Sequence, residues 1–166
     1  MRVIPEDVRQ RLKDRFEIAL SGPVRLTLYT RPGSSRLILP AGLGCPTCEE
    51  AREMAELLRD AAPDKVTLEE IDVSRAPERA TTDAIDDVPT IAIASNSYPL
   101  PDPPHKGEGG AARIRFQGLP TGTEFPALID AVERVSRAEH GLSVESLAGL
   151  AKLTEPAEVM VFATPT

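Results

Sequence analysis

The chain has 166 residues, 41% of them hydrophobic and 27% charged, with a formal net charge of −7. That length fills one core and falls short of two domains of ordinary size, and the composition is that of a globular chain rather than a disordered one. The acidic balance leaves no basic stripe to neutralise phosphates, which excludes nucleic acid, and it gives no affinity for an anionic membrane surface.

No apolar run approaches the ~20 residues that span a bilayer. The first residues turn acidic at once, at Glu6 and Asp7, without an apolar stretch of secretory type. A cytoplasmic location is the expectation.

In chain order, Val8, Leu12, Phe16, Ala19 and Leu20 recur at helical spacing and predict a helix over 6–20, with Pro5 in its first turn and Gly22-Pro23 ending it. Residues 24–30 read as a strand with Val24, Leu26 and Leu28 on one face. Arg31-Pro32-Gly33-Ser34 signals a turn, and 36–39 reads as a short strand or a buried flap. From 46 to 62 the stripe Ala51, Met54, Ala55 and Leu58 predicts a second helix, with Glu49, Glu50, Arg52, Glu53, Glu56 and Arg59 facing water. A strand over 66–73, a short helix or irregular connection over 76–84 and a strand over 88–94 follow. The Pro- and Gly-rich stretch 97–110 is a loop. Then come a strand over 113–117, a helix over 125–140 with Leu128, Ile129, Val132 and Val135 inward, and a helix over 144–153 capped by Ser143. A last apolar strand covers 158–163. One βαβ crossover followed by ββα predicts an α/β fold with a mixed sheet flanked by helices. Residues 23–29 and 156–162 match in type at each apolar position, and each is followed by a proline, Pro32 and Pro165, nine residues after its own first one. This repeat predicts that a second unit begins near 155, its first strand occupying 155–166 after a linking helix over 142–154.

Cys45-Pro46-Thr47-Cys48 opens the second helix. There the unpaired N–H groups and the positive end of the helix dipole favour an anion, so a thiolate at Cys45 is stabilised. Cys48, one turn in, can attack a mixed disulfide on Cys45 and release the partner, which makes Cys45 the nucleophile and Cys48 the resolving thiol. A structural disulfide closing so short a loop would stabilise little. Half of a zinc site is the other alternative, yet His105 and His140 do not stand at ligand spacing; a zinc shared between two chains stays open. Pro89 opens a strand, where a cis Val88–Pro89 bond would turn backbone edge toward the dithiol.

The run CPTC–helix–strand, with Val88-Pro89-Thr90, resembles the thioredoxin/glutaredoxin superfamily. The long first helix, residues 116–125 (FQGLPTGTEF) and the closing FATPT resemble, more narrowly, the N-terminal half of the tandem-thioredoxin protein disulfide oxidoreductases, also called glutaredoxin-like proteins. The resemblance implies a thioredoxin-like unit over 1–141, with 155–166 starting a second such unit. It also implies Cys45 as attacking thiolate, Cys48 as resolving thiol and Pro89 as the cis-proline, with Val88, Pro89 and Thr90 meeting the substrate. No cofactor or metal is called for. The expected partners are protein disulfides and a thioredoxin-reductase-like or glutathione reductant. The alternative is an adaptor or electron-relay module of a larger redox assembly, such as a peroxide reductase. The segments 31–44 and 97–112 are longer than that family's usual ones.

Two readings of Glu70 stand. If it shares a face with Val66 and Leu68, it is a buried carboxylate whose pKa desolvation raises, and it relays a proton from Cys48. If the strand slips or bulges, it is simply exposed. Arg31, Arg36 and Arg113 are candidates to lie near the active face, and surface charge is their plainer explanation.

Overall fold

The strand Val24–Thr30 (β1) is the centre of the fold in a computed structural model, which describes residues 5–31, 44–95, 114–138 and 141–155. It runs parallel to Val66–Asp72 (β2) on one side, with Val24 opposite Val66 and Thr30 opposite Asp72. On the other side it pairs antiparallel with Thr90–Ala94 (β3), Tyr29 facing Thr90. Ile114–Gln117 (β4) extends the sheet beyond β3 in antiparallel register, giving the order β2-β1-β3-β4. The helices are Glu6–Ala19 (α1), Cys48–Ala61 (α2), Pro77–Thr82 (α3), Glu124–Arg137 (α4) and Val144–Leu150 (α5). The expected α/β fold with a mixed sheet is what the chain adopts.

Alternation along the strands divides the interior in two. Val24, Leu26 and Leu28, with Val66, Ile91 and Ile93, face one large core shared with Leu12 and Phe16 of α1, Leu57 and Leu58 of α2, and Leu128 and Val132 of α4. Tyr29, Ile71 and Ala92 point to the opposite face and meet Ala80 of α3 in a smaller core, against which Val88 packs. Tyr29 is buried there, and its hydroxyl donates to Asp83 Oδ2 at 2.5 Å.

Element ends depart from the expected ones for local reasons. β3 begins at Thr90 rather than at 88, because proline has no N–H to give to the ladder. α2 begins at Cys48 rather than at 46: Thr47, at φ −115° and ψ 8°, is its N-cap. α5 stops at Leu150, after which Lys152 and Leu153 donate to the carbonyls of Gly149 and Leu150 in a tightened turn. The flap at 36–39, the loop at 97–110 and the closing strand at 158–163 lie outside the described residues.

Candidate active site

The crossover from β1 to the parallel β2 makes α2 run back along the sheet, so its N-terminus stands at the carboxyl end of β1. Cys45 and Cys48 are joined there by a disulfide, their Cα atoms 5.4 Å apart. Cys45 stands ahead of the helix and Cys48 is its first residue. Both are nearly buried, at 6% and 4% exposure. The N–H groups of the first turn have no partner within the helix, and they supply the local positive potential that a thiolate at this end would feel. Glu49 and Glu50 occupy that same turn and draw on the same potential.

Pro89 reaches the same end of the sheet from the other side. Thr90 pairs with Tyr29, so Pro89 passes out of the ladder beside Thr30. The Val88–Pro89 peptide is cis. The backbone around it is more occupied than a bare edge: Gly118 N–H donates to the Pro89 carbonyl at 2.8 Å, and Val88 N–H donates to Asp87 Oδ1 at 2.8 Å. Gly118 holds φ +86°, which glycine alone adopts without strain. Thr90 is fully buried, its hydroxyl donating to the Asp87 carbonyl at 2.7 Å.

Glu70 lies on the face of Val66 and Leu68, yet it is exposed rather than buried, and its surroundings reverse the electrostatics of the buried reading. Arg52 of α2 grips it bidentately, Nε to Oε2 at 2.8 Å and Nη2 to Oε1 at 2.6 Å. Thr30 donates its hydroxyl to Oε1 at 2.8 Å. The Arg52 guanidinium holds the Glu70 carboxyl below its ordinary value, and this outweighs the upward push of burial. A group held ionised in this way accepts a proton less readily than the raised carboxyl that the sequence suggested.

The cysteines, Pro89 and Glu70 thus gather at one end of the sheet. Thr30 and Arg52 are the site residues that sequence reasoning misses: the helical pattern turns Arg52 to water, where 40% of its side chain stays, while its guanidinium reaches Glu70. The place of Arg52 one turn after Cys48, across from the strand that follows α2, was the available signal. Among the described residues, no group of three or more His, Cys, Asp or Glu could hold a metal ion. His105, His140, Arg36 and Arg113 lie outside the described residues. No helix among the described residues is long and apolar enough to cross a membrane.

No protein-family model matches the chain, and no curated protein matches it. Solved structures do. A protein disulfide oxidoreductase from Aeropyrum pernix superposes with a TM-score of 0.68 at 21% identity, over 90% of this chain and 55% of its own. The NTD_N/C domain of the alkylhydroperoxide reductase AhpF from Enterococcus faecalis gives 0.60 at 22% identity, over 86% of this chain and 57% of its own. A mutant of AhpF itself from that organism gives 0.64 at 21% identity, over 90% of this chain and 61% of its own. The chain therefore spans somewhat over half the length of each. These likenesses establish a thioredoxin-like fold.

Proposed function

We propose that the chain is a dithiol–disulfide oxidoreductase acting on protein disulfides. The observation that carries this is the Cys45–Cys48 pair at the N-terminus of α2, at the sheet end that Pro89 also reaches. In the reductive direction the Cys45 thiolate attacks one sulfur of a substrate disulfide. A mixed disulfide forms and the other substrate sulfur leaves as a thiolate that takes up a proton. Cys48 then gives up its proton and attacks Cys45 Sγ. The intramolecular disulfide closes, the second substrate thiol departs, and two electrons have passed to the substrate.

Val88 and Pro89 flank the extended substrate segment in this reading, and Thr90 acts from beneath, through its hydrogen bond to Asp87. A reductant, either a thioredoxin-reductase-like enzyme or glutathione, returns two electrons and two protons to the Cys45–Cys48 disulfide and restores the dithiol. A reducing cytoplasmic setting belongs to the same proposal, since a dithiol turns over where such reductants are supplied.

Insulin-disulfide reduction tests the reading. The wild-type chain is expected to accelerate it, Cys45→Ser to abolish the acceleration, and Cys48→Ser to accumulate a mixed disulfide. Unchanged reduction by Cys45→Ser would overturn the assignment. A second reading, favoured by the likeness to AhpF, is an electron-relay or adaptor module within a larger redox assembly. It predicts negligible insulin reduction by the isolated chain together with rapid exchange with one specific dithiol partner. The 155–166 segment as the start of a second unit remains part of the proposal.

A further inference from the structure

Arg52 and Glu70 form the one bidentate ion pair described at the sheet end where the dithiol sits, and neither is needed by the exchange steps above. Arg52 is four residues after Cys48 on α2, so the two positions neighbour each other on the helix surface, about 5–6 Å apart at Cβ. Glu70 projects from β2 on the face that α2 covers and is fixed from below by the Thr30 hydroxyl. The pair therefore joins the first turns of the dithiol helix to two adjacent strands. It is only partly exposed, 40% for the Arg52 side chain and 34% for Glu70. A full positive charge one turn from Cys48 stabilises a thiolate, and a full negative charge there destabilises it. Held together, the two largely cancel. Other acidic groups near Arg52 are Glu49 and Glu56 on its own helix, and they favour its charged form less than Glu70 does.

We propose that Arg52 and Glu70 are positioning residues that set the redox balance of the Cys45–Cys48 dithiol: Glu70 neutralises Arg52, so that the thiols feel the helix end without an extra cation beside it. This rests on the dithiol reading above and adds to it a charge balance acting on the same site.

Equilibration of the full chain with glutathione tests the idea, because it reads the thiols whether or not any protein substrate is reduced. Glu70→Gln leaves Arg52 uncompensated, stabilises the thiolate and hence the reduced form, and is expected to shift the equilibrium toward the dithiol by roughly threefold to tenfold. For a two-electron couple that is about 15–30 mV. Arg52→Gln leaves the carboxylate uncompensated and is expected to shift it by a similar factor the other way. Arg52→Lys and the double variant Arg52→Gln/Glu70→Gln are expected to return to within about twofold of the wild type. The ultraviolet absorbance of the thiolate should follow: the Cys45 pKa falls in Glu70→Gln and rises in Arg52→Gln.

A purely structural role would lower stability in every variant without opposite shifts in equilibrium. Single variants that move the equilibrium in the same direction, or leave it unmoved while the circular dichroism stays native, overturn the proposal. A wild-type chain that equilibrates with glutathione but reduces no insulin would instead count against the oxidoreductase reading and leave the charge balance standing.

Discussion

Glu70 gathers three contacts on one carboxylate, and its consequences are a matter of single protons. Its folded-state pKa lies below the ordinary carboxylate value because Arg52 and Thr30 hold the ionised form. A depressed pKa stabilises the fold above the unfolded-state value, and that stabilisation is lost as pH falls through the folded-state value. The stability difference between wild type and Glu70→Gln is therefore expected to be under ~1 kcal/mol at neutral pH, the pair being more than a third exposed. It should shrink as pH falls below the ordinary carboxylate range and be lost once the Glu70 carboxyl, held below its ordinary value by Arg52, is protonated in the folded state, and urea unfolding at each pH measures it. Tyr29 runs the other way on the opposite face of the sheet. Burial pushes its phenol pKa up, and so does the hydrogen bond to Asp83. At this scale the sequence singles out the residues on which the proposed chemistry rests: Cys45 and Cys48 by their spacing, and Pro89 as a strand-opening proline downstream of them. The sign of the Glu70 shift is not legible there, because it depends on a guanidinium from another element, and local periodicity says nothing of which side chains meet across elements.

Helices and strands were legible where their patterns are strong. The apolar stripe of α2 and the alternation of β1 placed both within a residue or two, and the inward residues expected for α4 sit in the large core. The ends were less legible because caps decide them, as Thr47 does for α2. How α1 attaches was not legible at all. Its carboxyl end is clasped by Ser136 of α4, which is buried. Ser136 Oγ accepts from Ser21 N–H and Gly22 N–H, both at 3.0 Å, and donates to the Gly22 carbonyl at 2.7 Å. Midway along α1, Arg15 donates to Glu133 at 2.5 Å and to Asp130 at 2.6 Å. A serine on the inner face of a helix reads from sequence as a neutral interruption. Ser136→Ala leaves two backbone donors without their acceptor, and is expected to cost about 1–3 kcal/mol. The check is a lower urea midpoint at unchanged slope.

Over the whole molecule stability is unevenly distributed. β1, β3 and α2 are buried on nearly every inward position, whereas every described residue of α5 and its flanks is exposed, including Val144, Leu150 and Leu153. A helix of seven residues has little stability of its own when no face is buried. Amide hydrogens of α5 are expected to exchange at close to unprotected rates. Those of β1 should exchange only with global unfolding, and hydrogen-exchange mass spectrometry separates the two. The mixed sheet was legible in the chain order of its elements, a βαβ unit followed by ββ, whereas the strand order β2-β1-β3-β4 comes from the structure.

The Ser21–Ser136 clasp bears on how the protein is made. The two serines stand 115 positions apart. At ribosomal speeds of roughly 5–20 residues per second, about 6–23 s pass between the synthesis of α1 and of the residue that fastens it. Throughout that interval Leu12 and Phe16, which end in the large core, have no α4 to cover them. β1 likewise waits for β3 before both its edges are filled. The nascent chain thus carries apolar surface until nearly all of its fold has been translated. Co-expression of a chaperone that shelters emerging chains is therefore expected to raise the yield at high expression, with the soluble fraction as the measurement.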